Sequence, residues 1–416
     1  MMIRIGMAVV IVVLVTAVSG CSDRVRILEE ELGYDSTGLR MLNPSEEKIV
    51  NASYGFGFDL LREIHQSDPA GNIIISPLSL SMALGMTLNG AKNDTRTEMI
   101  ATLGLEGLTQ DEINQSYGSL IRMLVTADPG VTFGIANSIW CMEGIRINSD
   151  FIHTNQDYFS AEVRVLDFYK NGSLDIMNGW VSAHTDNRIT AILDQIPPNV
   201  VMVLINALYF QGVWQYQFNP EHTEDNDFRI DSSHSIRVPM MTQSNLFLHW
   251  KTDEIEILDL PYGDGHFAMM ILMPSLNSSL DRIIPSINWE QWDQWKKSLQ
   301  SDSGTVYLPR FKAGYRSVLN DRLSRMGMPT AFIGGQADFS GIAPNRELYI
   351  SRVIHQSDIR VNEEGTTAAA ATVVEISEKC SNDPWFFMSI NRPFLYVIHE
   401  RQTGIILFIG TITQPE

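Results

Sequence analysis

Hydrophobic positions along the chain follow two different periods. In "YGFGFDLLREIHQ" (Tyr54 to Gln66) apolar residues recur at three- and four-residue spacing, which predicts an amphipathic helix. "NIIISPLSLSMALGMTLNGAKNDTRTEMIATLGL" begins as a strand, turns at Ser76-Pro77, runs as a helix to Asn89-Gly90 and restarts as a second helix after Asp94. Later stretches change character. "VMVLINALYFQGVW" and "FAMMILMP" are unbroken apolar runs suited to buried strands. "FLYVIHERQTGIILFIGTIT" reads as two strands about a Glu-Arg-Gln-Thr-Gly turn. Helices come early and strands dominate late, with hairpins among them. The pattern predicts an α+β fold, not an alternating parallel-sheet enzyme.

Two segments depart from this pattern. Met7 to Val18 is wholly apolar or small, follows a single cation (Arg4) and ends in Val18-Ser-Gly-Cys21. A short apolar run after a positive start predicts a secretory signal. Small residues directly before a cysteine are similar to a bacterial lipobox, in which Cys21 becomes the lipidated first residue. An uncleaved membrane anchor is the alternative, although the run is several residues short of a ~20-residue span. Both place the bulk of the chain outside the cytoplasm, anchored by lipid or secreted. Residues 1–20 are expected to be the signal peptide, and 21–48, charged and weakly periodic, a spacer. From 49 to 416 there is no linker or repeat, so one domain is expected.

The second departure is "VNEEGTTAAAATVVEISEKCSNDPWFF", residues 361–387, with its four consecutive alanines. By propensity alone, "TTAAAAT" is a helix cap and a helix. Glu-Glu-Gly-Thr precedes this run and Val-Val follows it.

Composition narrows the function by exclusion. Of 416 residues, 44% are hydrophobic and 19% charged, ordinary globular values. Acidic residues outnumber basic ones by 49 to 30, a formal charge of -19. Phosphate binding needs clustered Lys and Arg, so nucleic acid is not an expected partner. There is no G-x-S-x-G, H-E-x-x-H, C-x-x-C or G-x-x-x-x-G-K. Ser45-Glu-Glu-Lys48 fits S-x-x-K by chance, without an S-D-N or K-T-G partner. The nine histidines show no metal-binding spacing. No catalytic residue, metal or cofactor is expected, and a hydrolase is the least supported class. Beyond Cys21, only Cys141 and Cys380 remain. They could pair in an oxidising compartment. Cys141 in a strand and Cys380 in a polar loop favour two lone thiols.

Several long blocks occur in one order: Asn72–Met99, Ile205–Phe228, Val238–Gln243, Leu308–Ile342, Leu348–Val374 and the closing "NRPFLYVIHERQTGIILFIGTI". On these blocks the chain resembles a serpin from about Tyr54 to Pro415. The resemblance implies a single domain of three β-sheets and eight or nine helices, a monomer, and a reactive-centre loop in the 361–387 segment. It implies a suicide substrate: a protease cleaves the loop and forms an acyl-enzyme, and the severed loop inserts as a new strand into the main sheet. The fourteen residues from Thr366 to Lys379 span about 46 Å when extended, at ~3.3 Å each.

The same resemblance assigns sites. Glu363, Glu364, Gly365, Thr366, Thr367, Ala368, Ala369, Ala370, Ala371 and Thr372 form the loop hinge, small enough to enter a sheet with little resistance. Thr367 stands where many inhibitory serpins have glutamate. The sixteenth residue after Glu363 is Lys379, so Lys379-Cys380 is the expected scissile bond, suited to a trypsin-like protease. An exposed Cys380 would be open to oxidation, or be a small residue standing where many serpins have serine. Ser76, Ser79, Asn206 and His355 match a shutter beneath the central sheet, and Trp214 matches the breach where the loop first enters. Asn178, Trp180 and Thr185 match a helix motif near the sheet. Asn187-Arg188 stand where the family often has Gly-Lys. A cysteine-protease inhibitor acting through the same loop, or a non-inhibitory serpin that binds or chaperones a partner, are the alternatives.

Overall fold

The computed structural model describes residues 39–185, 187, 190–196, 200, 202–344, 347–366 and 385–416. Among these residues are nine α-helices: α1 (Pro44–Ser67), α2 (Pro77–Leu88), α3 (Asn93–Thr102), α4 (Gln110–Val125), α5 (Ser149–Phe159), α6 (Ser173–His184), α7 (Leu280–Ile283), α8 (Trp289–Ser298) and α9 (Asn320–Arg325).

The helix expected over Tyr54 to Gln66 starts ten residues earlier, inside the segment read as spacer. Asn43 caps it. Its side chain accepts from the N–H groups of Ser45 and Glu46, the Glu46 carboxylate reaches back to the Asn43 N–H, and Pro44 opens the first turn. Glu46 is fully buried and paired with Arg40. The folded domain therefore begins before residue 49, because Asn43-Pro-Ser-Glu46 is a complete start signal. Ser45 and Lys48 are held in this helix, with Lys48 Nζ donating to the Glu106 carbonyl.

Among the described residues, fifteen strands build two hydrogen-bonded sheets. The smaller has the order β10 (Phe311–Val318), β11 (Ile354–Val361), β12 (Gly365–Thr366), β4 (Met202–Val213), β2 (Val131–Met142) and β3 (Glu162–Leu166). The larger runs β1 (Ile73–Ile75), β15 (Ile406–Ile412), β14 (Phe394–Glu400), β8 (Phe267–Pro274), β7 (Ile255–Tyr262), β6 (Ser235–Lys251), β9 (Gln300–Pro309) and β13 (Trp385–Ser389), with β5 (Glu224–Arg229) paired to β6. Three sheets were expected; two of them are joined here because one strand serves both. The 17-residue β6 pairs with β5 and β9 along most of its length and with β7 over Leu248–Lys251.

Burial follows from the sequence pattern. β7, β8, β14 and β15 are buried at every position. β8 is an unbroken apolar run, while β7 and β14 also bury Glu256, Asp259, His399 and Glu400. Glu256 is paired with Lys251, Asp259 with His399 and Arg401, and Glu400 accepts from the backbone N–H groups of Gln402 and Thr403. α2 carries apolar or small residues on every face and is buried except at Ala83, which makes it a central helix rather than a surface one. Ser76 caps it through the Ser79 N–H, and Pro77 occupies its first position. α6 packs on the smaller sheet through Met177, Trp180 and Val181, which meet Trp140 of β2 and Ile205 of β4. Asn187, where a glycine was expected, has φ 59°, a left-handed conformation that asparagine tolerates. Cys141 lies in β2, buried and unpaired, and burial pushes its thiol up to about 11.

Candidate functional site

After β11 the chain turns back within four residues. Asn362 makes the turn. Its side-chain oxygen accepts from the N–H groups of Glu364 (3.2 Å) and Gly365 (3.1 Å), and its own N–H donates to the Gly365 carbonyl (2.9 Å). Gly365 and Thr366 then enter the smaller sheet as β12, antiparallel to both neighbours. Thr366 pairs with Val361 on one side and Gly212 on the other; Gly365 pairs with Val213. A Cβ at Gly365 would collide with the Gly212 carbonyl oxygen and lie 2.7 Å from the Val213 Cα, so only glycine permits this approach.

Aromatic and charged groups fix this entry point. Thr366 is buried, and its hydroxyl meets the Tyr262 phenol at 2.5 Å. Trp214 stacks on Tyr262 with ring centroids 4.3 Å apart. Its indole N–H donates to the Asn362 carbonyl (2.9 Å) and its backbone N–H to the Glu364 carbonyl (2.8 Å). Glu363 is buried, and its carboxylate accepts from Thr223 Oγ1 (2.7 Å) and from Arg310. Burial opposes its ionisation, but these hydrogen bonds outweigh burial and hold the carboxyl below its usual range.

Beneath β12 the sheet is open. No ladder joins β4 to β11 directly among the described residues. Between them lies a cavity of about 230 Å³. α2 lines one face through Ser76, Ser79, Leu80 and Leu84, while Ile192, Leu193 and Ile196 line the other. Its sides are Met202–Asn206 of β4 and Ile354–Ser357 of β11.

A polar network crosses its floor. The Ser76 N–H donates to His355 Nε2 (3.2 Å), and Ser357 Oγ lies 2.8 Å from the same nitrogen. Ser76 Oγ accepts from the Ser79 N–H (3.3 Å), Ser79 Oγ donates to Asn206 Oδ1, and Asn206 Nδ2 donates to Asn137 Oδ1 (2.7 Å). Burial pushes His355 down to about 4, despite its hydrogen bond to the Ile74 backbone, so the imidazole is neutral at pH 7.

The fold thus brings Ser76, Ser79, Asn206 and His355 into one chain of hydrogen bonds, and binds Trp214 to Asn362 and Glu364 beside the Tyr262 that Thr366 also meets. Thr367, Ala368, Ala369, Ala370, Ala371, Thr372, Lys379, Cys380 and Cys21 lie outside the described residues. Six participants escaped the sequence reading: Asn137, Thr223, Tyr262, Arg310, Ser357 and Asn362, the last beside the hinge it turns. Apart from Ser357, two positions from His355, and Asn362, two and three from Glu364 and Gly365, their partners are distant in sequence and no local spacing marks them. Asn178 closes a nearby turn, accepting from the N–H groups of Ile192 and Leu193 and donating to the Leu193 carbonyl. Trp180 Nε1 donates to Glu162 (2.5 Å), and Thr185 Oγ1 donates to the Val181 carbonyl (2.8 Å). No group of three or more potential metal ligands occurs among the described residues.

Comparison with known proteins agrees with this geometry. The sequence model of the Serpin (serine protease inhibitor) family matches residues 51–415. Human neuroserpin is 30% identical over 383 residues, which cover 89% of this chain and 92% of that protein. Human serpin B9 is 31% identical over 377 residues, covering 89% and 100%. Among solved structures, the thermophilic serpin tengpin in its native state superposes with a TM-score of 0.82 at 28% identity, covering 91% of this chain and 96% of that one. Human thyroxine-binding globulin complexed with thyroxine gives 0.81 at 26% identity, covering 89% and 99%. On a match that runs through nearly the whole domain, the chain belongs to the serpin family.

Proposed function

We propose that the protein is an irreversible suicide-substrate inhibitor of a trypsin-like serine protease, cleaved at Lys379-Cys380 and completed by insertion of its loop between β4 and β11. The observation that carries this reading is β12. Gly365 and Thr366 already occupy the slot, and the slot continues open below them.

The register of β12 says where the rest would go. Thr366 lies opposite Gly212 and Val361. Six residues further down an antiparallel strand, Thr372 would lie between Asn206 and His355, replacing empty space in the polar floor. Three more bring Glu375 level with Val203 and Arg352. The four alanines would pass between these points with no polar side chain to desolvate. Insertion competes with hydrolysis of the acyl-enzyme, and each ~1.4 kcal/mol on the insertion barrier shifts that race about tenfold. Lys379 would offer its ammonium to a carboxylate in the protease pocket.

Incubation with trypsin, followed by a denaturing gel, tests the reading. The expected product is a covalent complex, with a heat-stable cleaved form beside it. Clean cleavage with no complex and no gain in thermal stability contradicts it. A thiol protease of similar pocket chemistry, run in parallel, separates the cysteine-protease alternative. The likeness to thyroxine-binding globulin favours a second reading, a non-inhibitory carrier; the same gel decides between them. We also propose that Cys21 is lipidated and holds the domain at a membrane. Fatty-acid labelling that survives Cys21→Ser contradicts that.

A further inference from the structure

Asp128, on the connection from α4 to β2, carries a carboxylate in a residue only 4% exposed. Burying a carboxylate is costly unless its oxygens are satisfied. Here backbone satisfies them: Oδ1 accepts from the Gly130 N–H (2.8 Å) and Oδ2 from the Asp264 N–H (3.0 Å). Asp264 belongs to the β7–β8 turn, which starts directly after Tyr262. That turn holds left-handed residues at Gly263 (φ 51°) and Gly265 (φ 95°). A Cβ at Gly263 would also collide with the Asp128 carboxylate, so glycine is required there twice over. The Gly263 N–H donates to the Val213 carbonyl (2.9 Å), and Trp214 forms a bridge with Tyr262. Val131, which opens β2, pairs with Gly212. Asp128 thereby closes a ring of three elements around Gly212: the lead-in to β2, the end of β4 and the end of β7.

We propose that Asp128 is a positioning residue for loop insertion: by tying the Gly263–Asp264 turn to the start of β2, it fixes the Tyr262 hydroxyl on which Thr366 docks. The inference rests on the insertion reading above. The Tyr262 ring stacks on Trp214 and lies against Gly212, where a Cβ would come within 2.9 Å of it. Such flat contacts resist separation of the faces but let a ring slide in its own plane. Position along that plane is set by the backbone on either side of Tyr262, and Asp128 holds the side that follows. A shift of Tyr262 would part its hydroxyl from Thr366. Gly365 could not follow, because it is already in close contact with the Gly212 carbonyl and the Val213 Cα. The first inserted residue would then lose its hydrogen bond, and insertion would slow in its race with hydrolysis of the acyl-enzyme.

The test is the partition of the full chain on trypsin. A denaturing gel gives the ratio of covalent complex to cleaved chain, measured beside the initial rate of loop cleavage and the unfolding midpoint. Asp128→Asn keeps the size of the side chain and removes one of its two acceptors. The ratio is expected to fall about fivefold while the cleavage rate stays unchanged. Gly263→Ala displaces the carboxylate without altering it, and should lower the ratio by a similar factor. The double variant should fall no further than either single one, because both break the same contact. Asn148→Ala removes the cap of α5, outside this ring; it should lower the unfolding midpoint and keep the wild-type ratio. If Asp128→Asn does not fold, Gly263→Ala and Asn148→Ala decide alone. A wild-type ratio in the Asp128 or Gly263 variants, factors that multiply in the double variant, or an equal fall in Asn148→Ala overturns the positioning role and leaves insertion standing. A wild-type chain that forms no complex overturns both.

Discussion

The two ends of one slot are built in opposite ways. At the top, the groups that hold β12 are paired and packed: Thr366 on Tyr262, Trp214 on Tyr262, Glu363 on Arg310 and Thr223. At the level of His355 and Asn206 the same two strands face a cavity, and side chains rather than a backbone ladder join them to α2. The top is a fixed starting point. The bottom is a site with room and hydrogen-bonding groups but no strand. On the insertion proposed above, the loop would enter this vacant place from the top and lengthen towards the bottom.

Changes at the top should block travel most strongly. Thr366→Arg would force an unpaired guanidinium against Tyr262 at the first inserted position. Covalent complex with trypsin is expected to fall more than about tenfold in favour of cleaved product, while the initial rate of loop cleavage stays unchanged. An undiminished complex would mean that the top is not the entry.

The bottom should respond to acid. His355 is lowered from 6.5 to about 4 in the fold, so between those values the unfolded chain binds a proton that the native state refuses. Stability is fully present above about pH 6.5 and is lost as pH falls towards 4, by on the order of 3 kcal/mol. Unfolding midpoints from pH 7.5 to 4.5 should show this slope, and His355→Phe should flatten it.

Gly365→Ala should cost about 2 kcal/mol, because the new Cβ meets the Gly212 carbonyl and must push β12 out. Amide exchange at Thr366 and Gly212 would speed up, while exchange in β14 and β15 would not change. The smallest effect belongs to the rim. Glu363→Gln is expected to lose about 1 kcal/mol at pH 7. Because the folded carboxyl is held below its usual range, its stabilisation is present above the unfolded value and disappears as pH falls through the folded one. The wild-type and glutamine chains should converge in strong acid, and divergence there would detach Glu363 from the hinge.

Much of the fold was legible in the sequence because burial repeats with the period of the element. The runs of β4 and β8, the Ser76-Pro77 helix start and the β14–β15 hairpin all read correctly for that reason. The start of α1 was misread although its signal was present: Asn43-Pro-Ser-Glu46 is a local cap hidden in a charged stretch. The hinge expectation came only from family resemblance, since propensity by itself made the alanine run a helix. Arg310 and Tyr262 were not legible at all. Each is an ordinary strand-end residue until β9 and β7 carry it to Glu363 and Thr366.

What the sequence determined by itself is therefore the set of parts: which segments are helix or strand, which faces are apolar, and that one small-residue segment near the C-terminus differs from the rest. Local spacing carries that information because it depends on neighbours within a turn or a pleat. Only the tertiary structure decided that Gly365-Thr366 is already a strand, that the space below it is vacant, and that Asp128 braces the turn after Tyr262. Those facts depend on groups brought together from opposite ends of the chain, and no periodicity records a contact between residues hundreds of positions apart.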